Sequence, residues 1–354
     1  MARGRAIGSQ GVFMTDNKYS KIVEAIKNSR RFVVVSHVNP EGDAVGSLLG
    51  MYLGLKGMGK EVVPYLEDQL PPLYDFLPGS KDIVHTLEGV KDIDCTIAVD
   101  CGQADRLGDN FSSFKGKGVF LNIDHHVTND NYGDVNLVVP EASAAGEIVY
   151  DVLKAAGAEI TKGIAINLYT AIHTDTGSFR YSCSTPEAFR KAGELVRAGA
   201  DPWDISVKVY ENYPAARFKL LGATLSTLEF TDDNKIAIVH VTLESIKSFD
   251  GTKDMTDGFV NYARAIEGVE VGVLFREVKK GEYKASLRSK GRIDVSGVAG
   301  LFNGGGHAHA AGFSIKGNLL EVKAKVVAEL EKALKEQSSP SPYPLPVGER
   351  REKL

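Results

Sequence analysis

Two hydrophobic grammars divide the chain. In the first half, short apolar runs alternate with longer helical stretches. Phe32-Val33-Val34-Val35 is a continuous β-branched run of the kind found in buried parallel strands. Residues 20–29 before it read as a short helix. After it come the loop SHVNPEGDA, an apolar helix over about 45–56 and a strand over 61–65. That sequence of elements is a βαβ unit. The grammar returns at 95–99, ending in Asp100, and at 119–123, ending in Asp124, with helices to follow at about 144–156 and 164–173. Alternating strands and helices predict a parallel α/β sheet.

From 185 to 228 the text is helical and polar, without β runs. The pattern then changes to IAIVHVT, VEVGVLFREV and EYKASLRS, the last two reading as a hairpin over 269–278 and 282–289. A helix over 295–302 leads into GGGH, and a final helix spans 319–335. The expected organisation is a flexible N-terminus (1–18, with Met14 a candidate natural start), an α/β parallel-sheet domain (19–184), a helical connector (185–228), a smaller α+β domain (229–336) and a Pro- and Ser-rich disordered tail (337–354).

The length of 354 residues suits two domains, and 43% hydrophobic with 25% charged residues is an ordinary globular balance. A formal net charge of −4 argues against a protein that coats long duplex DNA through a basic surface. The three cysteines, Cys95, Cys101 and Cys183, are odd in number and form no CxxC, which fits buried thiols in a reducing compartment. No stretch of 18 apolar residues and no apolar export segment is present, so a cytoplasmic location is expected.

Ligands of open parallel sheets bind beyond the carboxyl ends of the strands. There the sequence places His37, Glu41 and Asp43 after the first strand, Asp100 after the next, and Asp124, His125 and His126 after the third. Asp175 ends the helix NLYTAIHTD, and Gly42 is expected to let the first loop turn tightly. A single Asp after a strand is usually a helix cap, and a lone His usually packs or lies on the surface. Together, such residues at successive strand ends instead make a site. Carboxylates and imidazoles without cysteine suit Mn²⁺ or Mg²⁺ better than a structural zinc. Two cations would relieve the repulsion among the acids and suit phosphoester cleavage. His173, inside a helix, and His85 and His240, outside every cluster, read as structural.

These residues resemble the DHH phosphoesterases. Asp124-His125-His126 matches the motif that gives the family its name, and His37-Val-Asn-Pro-Glu41-Gly-Asp43-Ala resembles its first motif. Val99-Asp100-Cys101 with Asp105-Arg106-Leu107-Gly108, and Thr174-Asp175-Thr176-Gly177 with Ser178-Phe179-Arg180, resemble two more. Gly304-Gly305-Gly306-His307, followed by Ala310-Ala311-Gly312, resembles the signature of the C-terminal domain that accompanies them. The likeness covers about residues 19 to 335 and is strongest to the oligoribonuclease (nanoRNase)/pAp phosphatase branch. One departure is Glu41, where the family usually carries Asp.

The resemblance implies a pair of divalent ions, Mn²⁺ first and Mg²⁺ or Co²⁺ as substitutes. His37, Glu41 and Asp100 would hold one; Asp43, Asp100, His125 and Asp175 would hold the other. His126 would face the scissile phosphate, with Asp124 orienting a neighbouring imidazole. Arg288, Ser289, Gly304, Gly305, Gly306 and His307 would grip the rest of the substrate. The implied activity releases 5′-mononucleotides from very short RNA and the 3′-phosphate from pAp. Two alternatives stay open: a cyclic-dinucleotide or pGpG phosphodiesterase, and a catalytically weak nucleotide-binding regulator. The implied partners are short RNA and pAp-like nucleotides, not a membrane or long duplex DNA, together with a family-like homodimer.

Overall fold

A computed structural model describes residues 17–336. The expectations for the residues before 17, Met14 included, and for the tail 337–354 lie outside the described residues. The chain divides into two compact units between Asn212 and Tyr213.

The first unit contains α1 (Ser20–Asn28), β1 (Arg31–Val35), α2 (Gly42–Gly57), β2 (Glu61–Tyr65), β3 (Cys95–Val99), α3 (Asp109–Ser113), β4 (Val119–Asp124), β5 (Val135–Val138), α4 (Ala145–Ala156), α5 (Lys162–Asp175), α6 (Pro186–Arg197) and α7 (Pro202–Tyr210). Its five strands form a wholly parallel sheet in the order β2-β1-β3-β4-β5. Strand alternation sends Phe32, Val34, Ile97, Val99, Leu121 and Ile123 into a core shared with the helices. Val33, Val35 and Ala98 go to a smaller core with Leu107 and Phe111. Because β1 pairs with both β2 and β3, the strand order reverses there. A crevice opens at such a switch point, beyond the strands' carboxyl ends.

Helix α2 is almost wholly buried, and a glycine stripe explains how it packs. A Cβ on Gly42 would fall 2.3 Å from the Thr174 hydroxyl oxygen, on Gly46 2.4 Å from the Asn167 carbonyl and on Gly50 2.4 Å from Leu168. Glycine therefore lets α2 lie directly on α5. Gly42 serves this approach, as the first residue of the helix, and not the tight loop turn expected from sequence. The close approach brings the start of α2, with Asp43, beside the end of α5, with Asp175.

The second unit contains α8 (Ala215–Leu225), β6 (Glu229–Phe230), β7 (Ile236–Val241), α9 (Leu243–Ser248), α10 (Val260–Arg264), β8 (Val271–Lys279), β9 (Glu282–Ser289), α11 (Val295–Gly300), β10 (Gly305–His307), β11 (Ala310–Lys316) and α12 (Leu319–Glu336). Its sheet runs β10-β11-β9-β8-β7-β6 and is antiparallel except between β7 and β8. The expected hairpin is β8–β9, with Gly281 at φ +71° in its turn. One sheet face packs on α11 and α12, and the other carries α8 and α10. Of the helices in the expected connector, α6 and α7 pack into the first core and α8 into the second unit. No described helix is long and apolar enough to cross a membrane.

Candidate active site

The strand ends of the first unit deliver their polar residues to one place. His37 lies two residues beyond β1, Asp100 directly follows β3, Asp124 ends β4, and His125 and His126 come next. Asp43 sits in the first turn of α2, and Asp175 is the last residue of α5. His125 Nε2 lies 3.5 Å from Asp100 Oδ1, 3.5 Å from Asp175 Oδ2 and 3.8 Å from Asp43 Oδ2. His37 Nε2 lies 3.7 Å from Asp100 Oδ2. Donor atoms of Asp43, His125 and Asp175, and those of Asp100, His125 and His126, all fall within 4.8 Å of one another. Six of the seven residues singled out at the strand ends and helix termini as ligands or as the phosphate-facing imidazole are thus brought together. Glu41, the seventh, is exposed at the rim, where its charge raises the pKa of both His37 and Asp175.

Backbone carbonyls orient the imidazoles. His37 Nδ1 donates to Val38 O at 2.8 Å and His125 Nδ1 to Ala142 O at 3.2 Å. Each bond fixes a tautomer with its Nε2 lone pair toward the acids. His126 Nδ1 instead donates to Asp124 Oδ1 at 2.7 Å. The other Asp124 oxygen accepts from Asn129 Nδ2 at 2.6 Å, and Asn129 also donates to Asn122 Oδ1. Asn122 and Asn129 escaped sequence reasoning. Asn129, in the turn after β4, looks like an ordinary turn former, and Asn122 lies inside the apolar run of β4, so nothing in their type marked them as supports. His173 is buried among Tyr169, Phe179 and Tyr210, and burial, helped by Arg180, lowers its pKa to about 4.

The electrostatics of the cluster call for cations. Burial, reinforced by Asp100, raises the Asp43 carboxyl to about 7. Ser47 Oγ and the N–H groups of Ala145 and Gly146 also hold this carboxyl. Burial and Asp43 push Asp175 well above the usual carboxylate range. Burial would also raise Asp100, but the neighbouring imidazoles of His125 and His37 hold it below that range. Against the lowering effect of burial, the neighbouring acids raise the pKa of His37, His125 and His126. Protons therefore stand in for missing positive charge. Separations of 3.5–3.8 Å are too wide for hydrogen bonds. They are close to the roughly 3 Å between neighbouring ligand atoms around a small divalent ion. The donors are oxygen and nitrogen only. Cys101, next to Asp100, donates its Sγ–H to Gln103 O, and burial pushes its thiol up to about 11. The set fits hard or borderline divalent ions.

This has a measurable consequence. A pKa raised in the folded state gives stability that is lost as pH rises through it. For Asp43 the loss runs from about 4 to about 7, and for the three imidazoles it lies above 6.5. His173 and His240, both lowered by burial, act in the opposite direction only below 6.5. The melting temperature of metal-free protein should therefore fall between pH 6.5 and 8, and Mn²⁺ should flatten or reverse the slope. A metal-free melting temperature that climbs across that window would contradict the charge imbalance.

In the second unit, antiparallel register sorts the expected substrate-binding residues. Arg288 pairs with Ala310, and Ala310 pairs with His307, so the three share one row on one sheet face. Gly305, paired with Gly312, lies in the next row of that face. Ser289 points the other way: it is buried, and its hydroxyl accepts the Gly291 N–H at 2.9 Å. It therefore does not share the face of Arg288. Gly305 and Gly306 open strand β10, and Gly304 directly precedes it. A Cβ on Gly304 would fall 2.3 Å from Gly312 O, and one on Gly306, at φ +141°, 2.4 Å from Ala310 O. These two glycines are needed for β11 to approach, whereas a Cβ on Gly305 would meet open space.

Residues 31–172 match the DHH family, N-terminal domain, and residues 232–336 match the DHHA1 domain. A Thermus thermophilus protein named bifunctional oligoribonuclease and PAP phosphatase NrnA is 34% identical over 284 residues, covering 80% of this chain and 84% of its own. The Bacillus subtilis protein of the same name is 26% identical over 321 residues, covering 90% and 99%. The crystal structure of an exopolyphosphatase-related protein from Bacteroides fragilis superposes with a TM-score of 0.82 at 31% identity, covering 90% of this chain and 96% of that one. Strand-end acids and imidazoles, the two matched domains and these relatives together make the chain a member of the DHH phosphoesterase family, with its companion DHHA1 domain.

Proposed function

We propose that the chain is a Mn²⁺-dependent phosphoesterase that releases 5′-mononucleotides from very short RNA and the 3′-phosphate from pAp. The observation that carries this reading is the cluster of His37, Asp43, Asp100, His125, His126 and Asp175 at the switch point of the parallel sheet. The names of the Thermus and Bacillus relatives support the choice of substrates.

In this reading His37, Glu41 and Asp100 hold one ion, and Asp43, Asp100, His125 and Asp175 hold the other. Divalent ions so held supply a Lewis acid for phosphoryl oxygens and a lowered pKa for water. Asp100 is the ionised acid set between the two groups, and Val38 O and Ala142 O keep the imidazoles in register. His126, held at Nδ1 by Asp124, meets the scissile phosphate through Nε2. The Asp124 carboxylate stabilises the imidazolium while that phosphate carries its full charge. Arg288, His307 and the open backbone of Gly305 bind a substrate phosphate in the second unit. Short RNA and pAp are intracellular compounds, and a reducing compartment agrees with three free cysteines.

A panel of pAp and RNAs of two to five nucleotides, assayed with and without Mn²⁺ and read by chromatography, tests this. Mn²⁺-dependent AMP from pAp and mononucleotides from RNA are expected, and absence of both products sinks the reading. Arg288→Ala should weaken pAp binding by about 1.5–3 kcal/mol, the scale of a hydrogen bond to a charged group. Metal content should stay that of the wild type. An unchanged KM and rate, or a loss of metal, would contradict the role given to Arg288.

A further inference from the structure

The sheet of the second unit carries more positive charge along one face than a single phosphate needs. In β9 the residues Tyr283, Ala285, Leu287 and Ser289 are buried, so Glu282, Lys284, Ser286 and Arg288 share the opposite, more open face. Register then arranges three rows. Arg288 lies beside Ala310 and His307, Ser286 beside Gly312 and Gly305, and Lys284 between Arg276 and Ser314. From β9 across β11 to β10, the first two rows are filled by alanine, glycine, serine and one histidine. On the β11 side of β9 no bulky apolar side chain interrupts the path from Arg288 to Lys284, while on the β8 side Leu274, opposite Ser286, is buried.

Arg276 and Lys284 are directly opposed across β8 and β9, and like charges so placed repel. Among the described residues neither side chain makes a hydrogen bond or an ion pair. Asp257 feels both charges, together with that of Arg217, but pairs with neither side chain. Glu282, on the same face of β9, closes the far end of the row sequence. A fold that sets two cations against each other, flanked by the hydroxyls of Ser286 and Ser314, is built for an anion. The chain as a whole is acidic, so this is local arrangement and not a general excess of lysine and arginine.

We propose that Arg276, Lys284, Ser286 and Ser314 form a second phosphate subsite, for a backbone phosphate of an oligoribonucleotide beyond the one bound at Arg288. Rows two residues apart along a strand lie about 6.8 Å from each other, and the Arg288 and Lys284 rows about 13–14 Å. That separation suits phosphates two nucleotides apart on an extended strand. A mononucleotide such as pAp cannot span it, whereas RNA of three to five nucleotides can. The lane thus sets a preference for length, and Glu282 bounds it. The inference rests on the proposed oligoribonuclease reading and adds a length-reading element to it.

The test uses the full chain, the double variant Arg276→Gln/Lys284→Gln and the charge-keeping variant Arg276→Lys/Lys284→Arg. The ratio of kcat/KM for a pentaribonucleotide to that for pAp should fall at least about tenfold in the glutamine variant, as expected for lost charged contacts. The charge-keeping variant should restore it. Fluorescence anisotropy with a phosphorothioate pentanucleotide gives a readout that a merely structural role would not move. The log–log salt dependence of binding should become shallower by about 0.7, the single-strand value for one phosphate contact. An unchanged ratio and slope would overturn the subsite, as would equal losses on both substrates with the slope unaltered. If the wild-type chain hydrolyses neither substrate, the oligoribonuclease reading fails, and the anisotropy slope still decides whether the lane binds phosphate.

Discussion

Asp100→Asn should lower turnover of pAp at least about 10³-fold while the fold persists, because several kcal/mol of transition-state stabilisation depend on a metal site with its charge intact. Asp100 faces three imidazoles: His125 Nε2 at 3.5 Å, His37 Nε2 at 3.7 Å and His126 Nδ1 at 3.8 Å. It is buried, yet those imidazoles hold it ionised while Asp43 and Asp175 are driven toward the protonated form. Asparagine keeps the volume and one carbonyl oxygen and removes only the charge. It also suits the backbone. Asp100 has φ +52°, a left-handed conformation that Asn and Asp adopt more readily than other side chains. Alanine would add backbone strain to the loss of a ligand and confuse the two. Phosphate release at saturating Mn²⁺, bound metal and circular dichroism should be measured together. Near-wild-type turnover, or a variant that is inactive only because it is unfolded, would remove Asp100 from the centre of the site.

How far the sequence could be read depended on which interaction decided each feature. Buried parallel strands are specified by local composition. The runs at Phe32–Val35 and Cys95–Val99 therefore announced β1 and β3, and with them the edge where His37 and Asp100 emerge. The hairpin β8–β9 was equally plain, since alternation and a Gly281 turn are both local. Strand β5, by contrast, is four residues at the sheet edge, only half-buried, and carries little pattern of its own. Strand β11 opens with Ala310-Ala311-Gly312, small residues of low strand propensity that are chosen for what lies against them. Glycine was misread for the same reason. Gly42 looked like a loop residue, but it answers a neighbour distant in sequence, Thr174. The cluster of acids and imidazoles was legible because topology delivers strand ends to one edge. The supports behind it, Asn122 and Asn129, were not, because their partners are defined only once the chain has turned.

Replacing Glu41 by Gln should raise the Mn²⁺ concentration needed for half-maximal turnover at least about 10²-fold. Even residues that only support metal ligands typically contribute 10–100-fold, so a direct ligand should exceed that. Two roles compete for this side chain. Glu41 occupies the N-cap position of α2, where its backbone carbonyl accepts from Val45 N at 3.0 Å, and a carboxylate near a helix N-terminus stabilises by about 0.3–1 kcal/mol. Yet its side chain makes no capping hydrogen bond. It stands exposed at the rim of the cluster, and its negative charge is felt by His37 on one side and Asp175 on the other. Glutamine preserves length, shape and one carbonyl oxygen but removes the charge that a hard cation favours. Aspartate keeps the charge on a stem one methylene shorter, so Glu41→Asp should stay within about tenfold of wild type in Mn²⁺ dependence. Melting temperatures separate the two roles. Loss of a simple helix-terminus charge would shift the melt of the Gln variant by a few degrees and leave its metal dependence unchanged. A variant with wild-type Mn²⁺ dependence and a slightly earlier melt would make Glu41 a helix-end charge, and the ion beside His37 and Asp100 would then need another ligand.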